Sequence, residues 1–117
     1  MDEAPLANKI DQKLRRLMLR VLWASRGVNA GGWINGEMLF DLMETDALTS
    51  YRCENKTHAM NLLRDLEAKG YAECRDDRTL RVQLWNLDDT SWRITATGSS
   101  LLEESAAPDP DIEDRRR

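Results

Sequence analysis

The sequence predicts an α+β domain: a three-helix core, a β-hairpin or small antiparallel meander, and a closing helix. Three observations predict it. Apolar residues recur at helical spacing over residues 9–26 and again over residues 55–69. After Gly70 the period changes to two, in "YAECR", "TLRVQLW" and "SWRIT". A Thr/Gly/Ser stretch then leads into "LLEES", a short final helix.

Ile10, Leu14, Leu17 and Val21 mark one face of the first helix, widened by Met18 and Leu22, and Gly27 stops it. Leu19 and Trp23 lie on the opposite side, with Lys13, Arg16 and Arg20 forming a basic stripe between the two faces. Trp33-Ile34 reads as a short strand, and Asn35 as the N-cap of a helix that turns Met38, Leu39, Leu42 and Met43 inward. Residues 44–54 form a long irregular connector. Asn55 caps the third helix, Ala59, Leu62, Leu63 and Leu66 line its buried face, and Gly70 ends it. "DDR" and "LDDT" read as turns between strands. With an odd-length turn at residues 88–90, Leu84 faces Ile94 and Val82 faces Ala96, so that Trp85 and Arg93 point away from the core. Thr97 is the expected cap of the last helix.

Composition bounds the function. A chain of 117 residues, 41% hydrophobic and 32% charged, suits one domain with its own core. Cys53, Cys74 and the single histidine, His58, do not have the spacing of a zinc site, so two idle thiols in a reducing cytoplasm are expected, with no metal and no cofactor. No apolar run reaches the roughly 20 residues needed to span a membrane. The net charge of −4 is uneven: residues 9–102 hold 14 of the 17 Lys and Arg and 13 of the 21 Asp and Glu. Residues 1–8 read as an N-terminal tail, residues 9–105 as the domain, and residues 106–117 as a flexible acidic tail, too poor in apolar residues to order itself. Such a tail would visit basic patches of the domain and temper binding to an anion.

"NLLRDLEAKGYAE" resembles the end of a recognition helix entering a first wing strand. "WRITATGSSLLEE" is similar to the strand-Thr-x-x-Gly-helix ending of MarR-, PadR- and ArsR-type regulators, and "GWINGEMLFDLM" to the strand and second helix before recognition. Over about residues 9–105 the chain resembles winged helix-turn-helix proteins, in particular small ones of Mu-like phages and prophages. It departs from them in the long connector at residues 44–54 and the long wing at residues 76–90. The resemblance implies a cytoplasmic DNA-binding protein, a transcriptional regulator of phage or bacterial type. The alternative is a winged helix kept for protein–protein interaction, in phage assembly or against a host regulator.

On this reading Asn55, Lys56, Thr57, His58 and Asn61 form the free first turns of the recognition helix. Lys56 suits a phosphate or a guanine edge, while Thr57 and Asn61 suit base edges. Arg78, at the expected wing tip, suits a minor groove or the backbone. Leu19 and Trp23 need cover, either from the chain itself or from a second subunit; a two-fold dimer matches palindromic half-sites and is the reading taken. No Gly-rich phosphate loop and no Ser-His-Asp set is legible, so neither an enzyme nor a small-molecule ligand is expected.

Overall fold

The computed structural model describes residues 6–28, 30–45, 51–76 and 87–113. They form helix α1 (Leu6–Ser25), strand β1 (Ile34–Asn35), helix α2 (Gly36–Glu44), helix α3 (Lys56–Ala68), strands β2 (Ala72–Asp76) and β3 (Thr90–Ile94), and helix α4 (Ala96–Leu102). The strands make one antiparallel sheet in the order β1-β3-β2. The register places Ile34 opposite Trp92 on one edge of β3, and Ala72 opposite Ile94 and Cys74 opposite Trp92 on the other. The place beside Ile94 expected for Leu84 is therefore held by Ala72. Val82, Leu84 and Trp85 lie outside the described residues. No described helix is long and apolar enough to cross a membrane.

α1 is the hub. It packs against α2, α3, α4 and β3, so its burial takes in Leu14, Leu17, Met18 and Leu22 of the predicted face, with Ile10 and Val21 partly buried, and extends past that face to Leu19. Leu19 is fully buried by its own chain, which corrects its expected place in a dimer contact. The sequence shows two opposite apolar faces on α1, and the fold covers the first and the Leu19 part of the second. Trp23, by contrast, is 37% exposed and stacks under the Arg26 guanidinium at 4.3 Å.

The largest fully buried side chain among the described residues is Trp92. Its indole N–H donates to Thr90 Oγ1 at 2.8 Å, and the Thr90 hydroxyl donates to the Leu87 carbonyl at 2.8 Å. The polar atoms that accompany the ring into the core are thus partnered, as burial requires. Cys53 and Cys74 are free thiols, and burial above all pushes the Cys53 thiol up to about 12.

Local expectations shift by a residue or two. β1 begins at Ile34 rather than Trp33, and Asn35 caps α2, accepting the Glu37 amide. In α2 only Leu39 and Met43 turn inward, while Met38 and Leu42 are exposed. The buried face runs through Leu39 and Met43 to the partly buried Phe40, which leaves Met38 and Leu42 on the solvent side. Thr95, not Thr97, caps α4: its backbone is extended and its hydroxyl accepts from the Gly98 amide, whereas Thr97 is already helical.

The C-terminal segment is the main departure. Residues 106–113, expected to be a flexible tail, fold back over α1 and the end of α3 as a strap. Ile112 enters the core at 5% exposure, and its amide accompanies it by donating to Asp109 O. A single apolar anchor amid carboxylates is invisible to composition, but it has a place to dock here because Lys13, Arg15, Arg16 and Lys69 gather beneath it.

Candidate nucleic-acid interface

α3 has two faces with different work. Ala59, Met60, Leu62, Leu63 and Leu66 hold its back against the core. Thr57 and Asn61, one turn apart, are exposed on the front. Arg64 continues that front: it falls three residues past Asn61, its guanidinium lies 5.5 Å above the Trp92 ring, and it pairs with Glu67 at 2.7 Å. Lys56, Thr57, Met60, Asn61 and Arg64, with Asp88 from the turn before β3, line an open depression of about 300 Å³.

The first turn is more committed than the sequence suggests. Asn55 spends its side-chain oxygen on the His58 amide at 2.8 Å, closing the helix end. His58 is turned inward: its Nδ1 accepts the Glu54 amide at 3.0 Å, and its Nε2 meets Asp11 Oδ1 at 2.8 Å. With Nδ1 accepting, Nε2 carries the proton and donates to Asp11. His58 therefore ties α3 to α1, and its expected contact with DNA is corrected on that ground. Both ring nitrogens are used, and the ring leaves the outward face.

Lys56 reaches Asp88 at 2.9 Å. That hydrogen bond, first among the causes, holds the ammonium pKa above its ordinary value; Glu37 and Asp41 of α2 act in the same direction, against a smaller desolvation effect. Both partners of the pair are nearly half exposed, and such pairs contribute little and exchange readily.

The sheet adds a feature that the sequence reading passed over. Trp33 lies between two guanidiniums, Arg75 at 4.7 Å and Arg93 at 4.5 Å. Arg93 also pairs with Glu73, its cross-strand neighbour, at 2.8 Å. The expected register turned Arg93 away from the core; the places of Arg75 and Trp33 beside it come from the pairing of β2 with β3 and the approach of the residue before β1. Arg78, the expected wing-tip contact, lies outside the described residues.

The structure thus brings Lys56, Thr57 and Asn61 to one surface, joins Arg64 to them, spends Asn55 and His58 on holding the helix, and buries Leu19 elsewhere. Trp23 stands apart, at a cleft between α1 and α4 with Arg20, Val21 and Leu102. No family model matches the chain, and neither a curated protein nor a solved structure matches it.

Proposed function

We propose that the chain is a winged-helix DNA-binding protein that reads a duplex with the front of α3, as a transcriptional regulator would. The observation that carries this reading is the split of α3 into an apolar back and a front of Lys56, Thr57, Asn61 and Arg64 that lines a shallow depression among the described residues. A helix held from behind, with hydrogen-bonding side chains on its free N-terminal turns, is what a major groove admits. Arg75 and Arg93 on the outer sheet face lie on the strands that flank the wing, where they suit phosphate contacts that position without specifying.

Titration with random duplex at low salt, then at raised salt, tests the charge component. Contact with phosphates requires a steep loss of affinity as salt rises. Asn61→Ala and Lys56→Ala are each expected to cost about 1–3 kcal/mol at a selected site, with melting temperature unchanged. Equal affinity in variant and parent would remove α3 from the interface.

Asp88→Asn is the complementary test. It removes the carboxylate that occupies Lys56 and takes a negative charge from the edge of the depression. Affinity for random duplex should rise several-fold at low salt, and the gain should shrink as salt screens it over a Debye length of about 10 Å at 0.1 M. A loss of affinity would show that Asp88 positions Lys56 rather than competing for it.

A second reading, a winged helix used for protein contact, is favoured by α2. Met38 and Leu42 lie exposed one turn apart, with Glu37 and Asp41 beside them. Apolar groups among carboxylates suit a protein surface and not a phosphate backbone. Absence of any salt-dependent duplex binding would select this reading.

A further inference from the structure

The strap is held by polar contacts on both sides of Ile112. Asp109 accepts the Tyr71 hydroxyl at 2.7 Å and the Lys69 ammonium at 3.2 Å, and also bonds the Asp111 amide at 2.8 Å. The Asp111 carboxylate meets Lys69 at 2.8 Å, and its carbonyl accepts from Arg15 at 3.0 Å. Ile112 inserts between these polar anchors and those of Glu113. The Glu113 carboxylate bonds Lys13, its carbonyl accepts from Arg16 at 3.3 Å, and its amide donates to the Gln12 carbonyl at 3.1 Å. Burial works to raise the Asp109 carboxyl pKa, but the Asp111 amide, the Tyr71 hydroxyl and the Lys69 ammonium together hold it below the ordinary value.

The α1–α3 surface thus reads a linear pattern of acid, spacer, acid, Ile, acid. Pro108 and Pro110 restrict the backbone on either side of Asp109 and limit the order lost when the segment docks, and a turn closes it where the Ile112 amide donates to Asp109 O at 3.1 Å. Between the more shielded Asp109 and Glu113 carboxylates, the pair of Lys69 with the Asp111 carboxylate lies near solvent and is readily exchanged. Glu104, at φ +63, closes α4 as a left-handed C-terminal cap, with its amide donating to the Leu101 carbonyl at 3.2 Å and the Ser105 amide to the Ser100 carbonyl at 2.9 Å, and the strap follows directly.

We propose that this surface, built from Lys13, Arg15, Arg16, Lys69 and Tyr71, is a docking groove for an acidic peptide of a protein partner, and that the chain's own residues 108–113 fill it in cis until such a peptide displaces them. The proposal goes beyond the reading of α3 and does not depend on it, since none of the groove residues lines the α3 depression. The partner segment is short, able to form the turn that the strap makes at residues 109–112, anionic at alternate positions, and carries one β-branched or Leu-like side chain between carboxylates. Cis docking sets a high effective concentration, so a partner in trans succeeds when it is tighter or when the strap is weakened.

The test uses the full chain and a fluorescent peptide of the sequence APDPDIE. The Asp109→Asn, Ile112→Ala variant loosens the strap and should bind the peptide at least about tenfold more tightly than the parent, whose groove is occupied. Adding Lys69→Ala and Tyr71→Phe should abolish that gain, and a peptide with its Ile replaced by Ser should not bind. Where the double variant does not fold, Asp111→Asn provides the same comparison, because it removes an exposed charge from the strap and leaves Ile112 in the core. Equal binding to parent and loosened chain, or binding indifferent to Lys69 and Tyr71, would overturn the proposal. No binding to a folded, loosened chain would do the same and would leave the strap as a purely structural clasp.

Discussion

Replacing Trp92 by alanine is expected to cost about 3–5 kcal/mol, the range for emptying a large aromatic site that cannot collapse. The ring is fully buried on β3, the central strand, with β1 and β2 pairing on either side of its backbone and α1 packed against the strand. No neighbouring side chain can swing in without breaking the ladder that fixes Ile34 and Cys74 opposite it. Arg64 would also lose the ring beneath its guanidinium. Since the whole stability of such a domain is about 5–15 kcal/mol, the variant should retain a small margin at best. Denaturant melts measure the shift, with Trp92→Phe as the partial case that keeps a ring but drops the bond to Thr90. A midpoint near the parent's would mean that β3 is not the centre of the core.

The second large effect is expected at Gly98. An alanine Cβ there would lie 2.2 Å from the Tyr71 carbonyl oxygen and 2.8 Å from Ile94 Cγ1. The obstacle is backbone, which cannot rotate away as a side-chain tip can. It is also fixed, because the same Tyr71 carbonyl accepts the Thr95 amide at 3.0 Å, while the Thr95 hydroxyl donates to Gly70 O at 2.6 Å. Relief requires α4 to move off the turn after α3, breaking both bonds. Gly98→Ala should therefore exceed the usual 1–3 kcal/mol, roughly, of overpacking. Gly27→Ala is the matched control, since nothing lies within 4 Å of its added Cβ. Similar melts for the two variants would show that α4 seats loosely and that the Thr-x-x-Gly spacing is incidental.

These two sites illustrate what the sequence made legible. Helical and two-residue periods located α1, α3, β2 and β3, because each buries a face whose spacing the backbone dictates. The Asn55 cap was readable because side-chain oxygens at helix starts answer a local need. Leu19 was misjudged because one helix buried on several sides looks, in sequence, like a helix with a spare apolar face. His58 and Lys56 were placed on the right helix, but their partners Asp11 and Asp88 lie 47 and 32 residues away, beyond any local pattern. The strap was missed for a related reason. Its composition is that of a solvated tail, and only the assembled cations of α1 and Lys69 give Ile112 and its flanking carboxylates somewhere to go.

The central position of α1 has a consequence for synthesis. Of the described elements α1 leaves the ribosome first, yet two of those that cover it, β3 and α4, are the last two to appear. At roughly 5–20 residues per second, the approximately 80 residues separating Leu22 from Leu101 take on the order of 4–16 seconds to translate. Throughout that interval Leu14, Met18, Leu19 and Leu22 form a helix surface with no complete partner. The nascent chain thus presents a sticky amphipathic segment until nearly all of the domain has emerged, and its yield in cells should depend on holdase chaperones and on translation rate more than the stability of the finished fold would suggest.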